Sequence, residues 1–329
     1  MLKNPIEGCF IITLDDLIFE VKGIIHPRDR IIAYIRYVPD AKSERRGYRK
    51  IYSLSEREDY LKAEFSQYLW YSKVHGRILQ SVPQERIKSV LNPVEYLIQM
   101  RKNSSKNSEL GKSTVRLSNK LMKIADIKET DIGVTGSQLA EVTTEASDID
   151  LVIYGDKPCL ELYEGMKESF DQTPDFIRYS GNLLDAHVTF RWEKLKEYHD
   201  ILRLIERKKI LQGVFESYQF FIRLVKLPSD LDQQYGTIVT KMRDICEIEC
   251  KVSDNSNSIF TPCEYLVQSD EYPELRKLIS YRGRFTEQVS SNDLVRVRGR
   301  LEDVIDTRTD EKYQQMVLGE DPLDYLIPI

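Results

Sequence analysis

Two aspartates one residue apart carry the strongest chemical signal in the sequence. Asp148 and Asp150 enclose Ile149 at the start of the β-branched run 149–154, which predicts a strand. Side chains at positions i and i+2 of a strand point to the same face, so the two carboxylates are expected to stand side by side. Adjacent carboxylates repel each other unless a cation neutralises them, and Mg²⁺ or Mn²⁺ prefers such oxygen ligands. The pair therefore predicts a divalent metal site.

A glycine and a serine precede this pair at the end of another short strand, predicted over residues 132–135. Gly136 lets the backbone approach a phosphate group closely, and the hydroxyl and amide of Ser137 can donate hydrogen bonds to it. Ten residues separate Ser137 from Asp148. Together the four residues predict a site for a metal-bound nucleoside triphosphate.

This arrangement resembles the signature of polymerase-beta-type nucleotidyltransferases, carried here by Gly136-Ser137, nine further residues and then Ser147-Asp148-Ile149-Asp150-Leu151. More broadly, the chain is similar to an archaeal group described only as predicted nucleotidyltransferases. The resemblance implies that Asp148 and Asp150 hold both ions of a two-metal site and that Ser137 holds the triphosphate. It also implies a mixed-sheet nucleotidyltransferase domain and release of pyrophosphate.

The sequence departs from the family pattern at three points. Many relatives have an arginine directly after the serine and a glycine three residues beyond it, whereas this chain has Gln138 and Glu141. The third carboxylate of the family, usually the base or a second metal ligand, cannot be placed from the sequence; its two candidates are Asp185 and Glu216. In the strand 220–225, Arg223 stands where an acid was expected.

Basic residues outside this motif are candidates for contact with nucleic acid. Four of them surround Tyr48 and two alternate with valines in a predicted strand near the C-terminus: Arg45, Arg46, Arg49, Lys50, Arg296 and Arg298. Either group is compatible with contact to a phosphate backbone or with a solvated surface. The net charge is +6 over residues 1–108 and −8 over 227–329, which permits a polyanionic partner near the N-terminal part without requiring one.

The surrounding elements predict an α+β fold in three parts. Residues 1–100 read as an α+β accessory domain, 101–108 as a linker without apolar side chains, 109–226 as the nucleotidyltransferase-like domain and 227–329 as a β-rich, barrel-like domain. Within the middle part, residues 192–211 predict one long amphipathic helix, and Asp185 is placed with His187 on a strand. No membrane span or secretory signal is expected, and the five cysteines are expected to be reduced, so a cytoplasmic protein is predicted.

Three functions remain open at this point. The first is a Mg²⁺- or Mn²⁺-dependent transferase that uses a nucleoside triphosphate, with RNA, a protein or a small molecule as acceptor. The second is a nucleotide- or nucleic-acid-binding protein that has lost catalysis through Gln138, Glu141 and the missing third acid. The third is an assembly subunit without a nucleotide site. The sequence leaves the donor, the acceptor and the oligomeric state undecided.

Overall fold

The computed structural model describes residues 5–329, without the side chain of Ser104. Its residues cluster into two compact units. The first contains the chain up to Ser72 together with Arg77–Ile177 and Leu211–Tyr235, and the second contains Lys73–Gly76, Arg178–Ile210 and Gly236–Ile329. Helices and three sheets make the fold α+β, as predicted.

The first unit begins with a seven-stranded antiparallel sheet in the order β5-β6-β3-β2-β1-β7, with β4 paired to one end of β3. The strands are β1 (Phe10–Thr13), β2 (Ile18–Val21), β3 (Arg30–Pro39), β4 (Tyr48–Lys50), β5 (Leu69–Ser72), β6 (Arg77–Pro83) and β7 (Ile87–Leu91). Alternate residues of β3 are buried, which gives this strand one face in the core.

Three helices of the first unit start at side-chain caps that the sequence provides. They are α1 (Leu54–Glu64), α2 (Pro93–Lys102) and α3 (Glu109–Ala125). The side chains of Ser53, Asn92 and Ser108 accept hydrogen bonds from backbone amides in the first turns, which satisfies donors that have no partner within the helix. The caps therefore fix where these helices begin.

The second sheet of this unit is mixed and has the order β10-β11-β12-β9-β8. Its strands are β8 (Ile132–Val134), β9 (Ile149–Tyr154), β10 (Phe176–Ile177), β11 (Gln212–Phe215) and β12 (Tyr218–Val225). Among the described strands of this sheet, only β12 and β9 pair in parallel. The short helix α4 (Gly136–Leu139) follows β8, and α5 (Asp156–Ser169) follows β9.

The two sheets of the first unit share a core beside α4. Phe10, Ile18 and Tyr37 of the first sheet pack against Leu139 and Val142, which follow Ser137. Two hydrogen bonds reinforce this packing: the Thr135 hydroxyl donates to the Gly8 carbonyl at 2.6 Å, and the Tyr154 hydroxyl donates to the Glu7 carbonyl at 3.0 Å. The N-terminal sheet is thus part of the structure that supports the aspartate-bearing strand.

The second unit contains α6 (Gly181–Arg191), α7 (His199–Lys208) and a β-rich part. The strands of that part are β13 (Ile238–Asp254), β14 (Cys263–Gln268), β15 (Leu275–Ser280), β16 (Leu294–Asp306), β17 (Glu311–Leu318) and β18 (Tyr325–Pro328). Pairing runs from β13 through β14, β15, β17 and β16 back to β13, so five strands close into a barrel. The predicted barrel-like character is confirmed.

The predicted long helix over 192–211 is wrong. The chain instead forms α6, leaves helical geometry at Trp192 and resumes as α7. The reason is a buried carboxylate: the Trp192 indole donates to Glu206 at 3.0 Å, and Lys209 and His187 also contact Glu206. A turn between the helices lets groups from both converge on this charge, which a single straight helix would not allow.

The division of the chain into three separate domains remains a prediction. In the structure, much of 1–100 and of 109–226 belongs to the first unit, whereas 178–210 and the β-rich segment belong to the second. The predicted linker 101–108 begins inside α2 and continues as a 3₁₀ turn over Ser104–Lys106.

Candidate functional site

The two aspartates stand at the start of β9, as their spacing predicted. Ile149 between them is fully buried, whereas Asp148 is exposed and Asp150 is half-buried. Among residues 5–329, neither carboxylate has a hydrogen-bond or ion-pair partner. Burial and the neighbouring Asp148 raise the pKa of Asp150 to about 7, while Arg223 and Lys50 act in the opposite direction. The site thus holds negative charge that the protein itself compensates only partly.

Gly136 allows the backbone of α4 to approach Asp150. Its φ is +67°, a conformation that favours glycine, and a Cβ atom at this position would lie 2.0 Å from Asp150 Oδ2. The backbone amide of Thr135 donates to the carbonyl of Asp150 at 2.9 Å, which fixes the register of the two strands at this point. The glycine in the motif is therefore required by the position of the second aspartate.

Ser137 is buried, with 8% of its surface exposed, and its hydroxyl has no hydrogen-bond partner within the described residues. A buried hydroxyl without a partner costs free energy of about 1–3 kcal/mol, so it is expected to have a ligand in the functional state. Its position directly after Gly136, beside Asp150, suits a phosphate oxygen.

Gln138 and Glu141, the two departures from the family pattern, have structural partners. The Gln138 amide donates to the Thr114 hydroxyl at 2.9 Å from a buried position. Glu141 has a φ of +55°, lies 3.6 Å from the guanidinium of Arg46 and accepts a hydrogen bond from Tyr96 at 3.3 Å. The acid at 141 therefore has part of its charge compensated by neighbours.

A charged cluster that the sequence did not reveal lies behind Asp150. Arg223 of β12 contacts Glu7 and Glu20, and Lys22 contacts the same two acids at 3.0 and 2.7 Å. Burial acts to raise the pKa of Glu20, but Lys22, Arg223 and Arg36 together hold it well below its usual value. Arg223 stands in a strand where the family pattern predicts an acid. In the structure it is the partner of Glu7 and Glu20 from the N-terminal part of the chain.

Both candidates for the third carboxylate have arginine partners in the structure. Asp185 lies on helix α6, where its carboxylate is 2.7 Å from Arg203, so the predicted strand with His187 is wrong. Helical hydrogen bonding by residues 181–191 replaces that strand. Glu216 occupies the turn between β11 and β12 and pairs with Arg116 at 2.6 Å. Their catalytic role remains a prediction.

The described residues contain no group of three or more His, Cys, Asp or Glu side chains placed to hold a metal ion. Asp148 and Asp150 nevertheless provide oxygen donors of the kind that Mg²⁺ accepts. This ion is usually bound through one or two carboxylates together with substrate phosphates and water. Two unpartnered carboxylates beside an unpartnered serine hydroxyl fit a metal that arrives with a triphosphate.

The basic residues around Tyr48 have different neighbours. Arg45 donates to the carbonyl of Val142 at 3.1 Å, Arg46 pairs with Glu141 and Arg49 pairs with Glu56 at 2.6 Å. Lys50 lies near Asp148 and Asp150, both of which act to raise its pKa. Contact of these four residues with nucleic acid remains a prediction.

The two barrel arginines are paired with acids. Arg296 lies 2.8 Å from Glu249, and Arg298 lies 3.3 Å from Asp321 and Asp324. A phosphate backbone would have to compete with these carboxylates. Nucleic-acid binding by this face is therefore a prediction that the local charge does not favour.

Replacing Asp150 with asparagine is expected to stabilise the metal-free protein at alkaline pH. The pKa of Asp150 is raised from 3.8 to about 7 in the folded state, so the stability that this group contributes is present below pH 4 and lost as the pH rises towards 7. Asp150→Asn stays neutral and should gain on the order of 1–2 kcal/mol at pH 8, after allowance for solvent.

Denaturant unfolding with a chelator present, at pH 5.5 and pH 8, measures this gain. Glu145→Gln, which removes an exposed carboxylate from the connection before β9, is the matched control and should change little. An Asp150→Asn protein no more stable than the wild type at pH 8 would contradict the prediction.

Comparison with known proteins agrees with the motif. Residues 117–227 match a family model described as a nucleotidyltransferase domain. Over 330 positions, the chain is 26% identical to an uncharacterized protein of Methanocaldococcus jannaschii, and the match covers 94% of each chain. No solved structure matches the chain significantly. The chain contains a nucleotidyltransferase domain, as the motif indicated, and this supports a nucleotidyltransferase function in general terms.

In the described part of the chain, none of the helices combines the length and the apolar character that crossing a membrane requires.

Proposed function

We propose that this chain, which contains a nucleotidyltransferase domain, transfers a nucleoside monophosphate from a nucleoside triphosphate to an acceptor and releases pyrophosphate. The observation that carries the proposal is the group formed by Asp148, Asp150 and Ser137. Two carboxylates and a buried hydroxyl lack partners within residues 5–329, and Gly136, directly before Ser137, lies against Asp150.

In this reaction, an oxygen of the acceptor forms a bond to the α-phosphorus while the bond from that phosphorus to the pyrophosphate oxygen breaks. Ser137 Oγ donates to a phosphate oxygen and orients the triphosphate. Asp148 and Asp150 would hold Mg²⁺ or Mn²⁺, which when bound neutralises phosphate charge and activates the attacking oxygen. Ile149 and the hydrogen bond from Thr135 to Asp150 keep the two carboxylates on the same face at the start of β9.

The acceptor is proposed to be RNA, a protein or a small molecule. The ion pairs of Arg296 and Arg298 weaken the case for RNA at the barrel. Arg45, Arg46 and Lys50 border the aspartate strand or the segment after Ser137. Together with Arg49 of the same segment, they are the better candidates if the acceptor is RNA.

A catalytically degenerate nucleotide-binding protein is the second candidate. One observation favours it: no third acid accompanies the pair in the described residues. Binding and turnover separate the two candidates, because the transferase needs both and the degenerate protein needs only binding.

The test has two arms. Thermal unfolding is followed with each of the four NTPs and Mg²⁺ or Mn²⁺; an NTP at a hundredfold over its Kd should add about 2.7 kcal/mol of stability. Pyrophosphate release and transfer of α-labelled nucleotide are then measured with RNA oligonucleotides, this protein itself and small hydroxyl compounds as acceptors.

Metal-dependent stabilisation by one NTP together with labelled product supports the transferase and names its donor. Stabilisation without release or transfer favours the degenerate protein. If no NTP stabilises the protein, a donor site at Asp148 and Asp150 is wrong, and a subunit without a nucleotide site becomes the better description.

A further inference from the structure

A strand of the N-terminal sheet places a lysine at the edge of the aspartate site. Lys50 is the last residue of β4 and pairs in register with Tyr37 of β3. Tyr37 is buried and packs in the same core as Leu139 and Val142, which follow Ser137. In addition, Arg45 donates to the carbonyl of Val142 at 3.1 Å. Packing and a hydrogen bond therefore join this part of the first sheet to the segment that carries Ser137.

The ammonium group of Lys50 has an unusual environment. It is half-buried, lies 4.8 Å from the ring centre of Tyr52, and has no hydrogen-bond or ion-pair partner among residues 5–329. Burial and the nearby Arg36 lower the pKa of Lys50 to about 8, whereas Asp148 and Asp150 act to raise it. Lysines are rarely buried without a counter-ion, so a negatively charged ligand is the missing partner that this environment suggests.

The residue after the serine does not provide a cation in this chain. Gln138 stands where many relatives have an arginine, and its amide is buried against Thr114. Arg46, another nearby cation, is paired with Glu141, and Arg223 is paired with Glu7 and Glu20. Lys50 thus combines proximity to the carboxylate pair with an unused positive charge.

We propose that Lys50 binds the triphosphate of the nucleotide, so that the N-terminal sheet supplies the cation that the position after Ser137 lacks. This inference rests on the proposed function, because it assumes that a triphosphate occupies the site of Asp148, Asp150 and Ser137. In this arrangement, Lys50 Nζ donates to a phosphate oxygen from β4 of the first sheet, and Ser137 Oγ donates from α4, which follows β8 of the second sheet. Nucleotide binding then depends on the N-terminal segment, outside the residues 117–227 that match the nucleotidyltransferase domain.

Isothermal titration calorimetry with inorganic tripolyphosphate and Mg²⁺ tests the inference on the full chain. Lys50→Ala and Lys50→Gln should each weaken binding by about ten- to hundredfold, the range expected for one lost hydrogen bond to a charged group. Lys50→Arg should stay within about threefold of the wild type because it keeps the charge. Lys42→Ala removes an exposed lysine eight residues earlier and should leave binding unchanged.

Several outcomes would overturn the role of Lys50. These are wild-type protein that does not bind tripolyphosphate, Lys50→Ala and Lys50→Gln proteins that bind as the wild type does, or a Lys50→Arg protein as weak as Lys50→Ala. The last result would assign the effect to packing rather than to charge. The thermal unfolding midpoint of each variant is measured in parallel, and Lys50→Gln keeps most of the side-chain length if Lys50→Ala does not fold.

Failure of the proposed function gives a different result. If tripolyphosphate binds and depends on Lys50 but no nucleotide is transferred, the anion site stands and the transferase does not. If transfer occurs but the Lys50 variants bind tripolyphosphate normally, the transferase stands and the role of Lys50 does not.

Discussion

Replacing Asp148 with asparagine is expected to slow nucleotide transfer by about a thousandfold or more. The reason is that the lost carboxylate weakens binding of the metal ion, whose stabilisation of the transition state amounts to several kcal/mol. The fold should tolerate the change. Asp148 is exposed and its side chain has no partner among residues 5–329, so the free energy of unfolding should shift by less than about 0.5 kcal/mol. Initial rates of labelled-nucleotide transfer, with unfolding followed beside them, measure both effects.

Glu145→Gln serves as the matched control for this experiment. Glu145 is also exposed and precedes Asp148 by three residues on the same connection, so its neutralisation changes the net charge equally. Its activity should remain near that of the wild type. An Asp148→Asn protein that keeps more than a tenth of the wild-type rate would remove Asp148 from the proposed site.

Replacing Arg223 with leucine is expected to lower the free energy of unfolding by about 3–5 kcal/mol, because a buried ion pair that loses one partner leaves an uncompensated charge. Arg223 contacts Glu7, whose side chain is fully buried, and Glu20, which is 10% exposed. Lys22 would remain as the main partner of both acids. Urea unfolding at pH 7 measures the loss.

Two further variants define the origin of that loss. Arg116→Leu removes an arginine that pairs with Glu216 at the surface and should cost at most about 1 kcal/mol. Adding Glu7→Gln to Arg223→Leu should recover part of the stability, since one of the uncompensated acids becomes neutral. Equal losses from Arg223→Leu and Arg116→Leu would show that the cluster behind Asp150 contributes no more than a surface pair.

Local sequence was sufficient for the centre of the site. The alternation of Asp148, Ile149 and Asp150 follows from strand geometry alone, and the structure has Ile149 in the core with the acids beside each other. The caps at Ser53 and Asn92 are equally local, because a side chain and an amide two or three residues away suffice to form them.

Predictions failed where a distant partner decides the conformation. Residues 192–211 have helical periodicity, but the chain turns at Trp192 because groups on both sides of the turn converge on Glu206. The strand predicted around Asp185 is a helix in the structure, because short apolar runs do not distinguish a strand from a buried helix.

The sequence by itself determined the aspartate pair, the Gly136-Ser137 turn and the α+β class, because residue type and spacing over a few positions control strand faces, glycine turns and helix caps. Only the tertiary structure decided which cations surround that pair. Arg223, Lys50 and the acids Glu7 and Glu20 come from segments separated by up to about two hundred residues, and their side chains meet through sheet pairing and shared packing. Electrostatic interactions depend on distance in space rather than along the chain, so no local pattern could have revealed them.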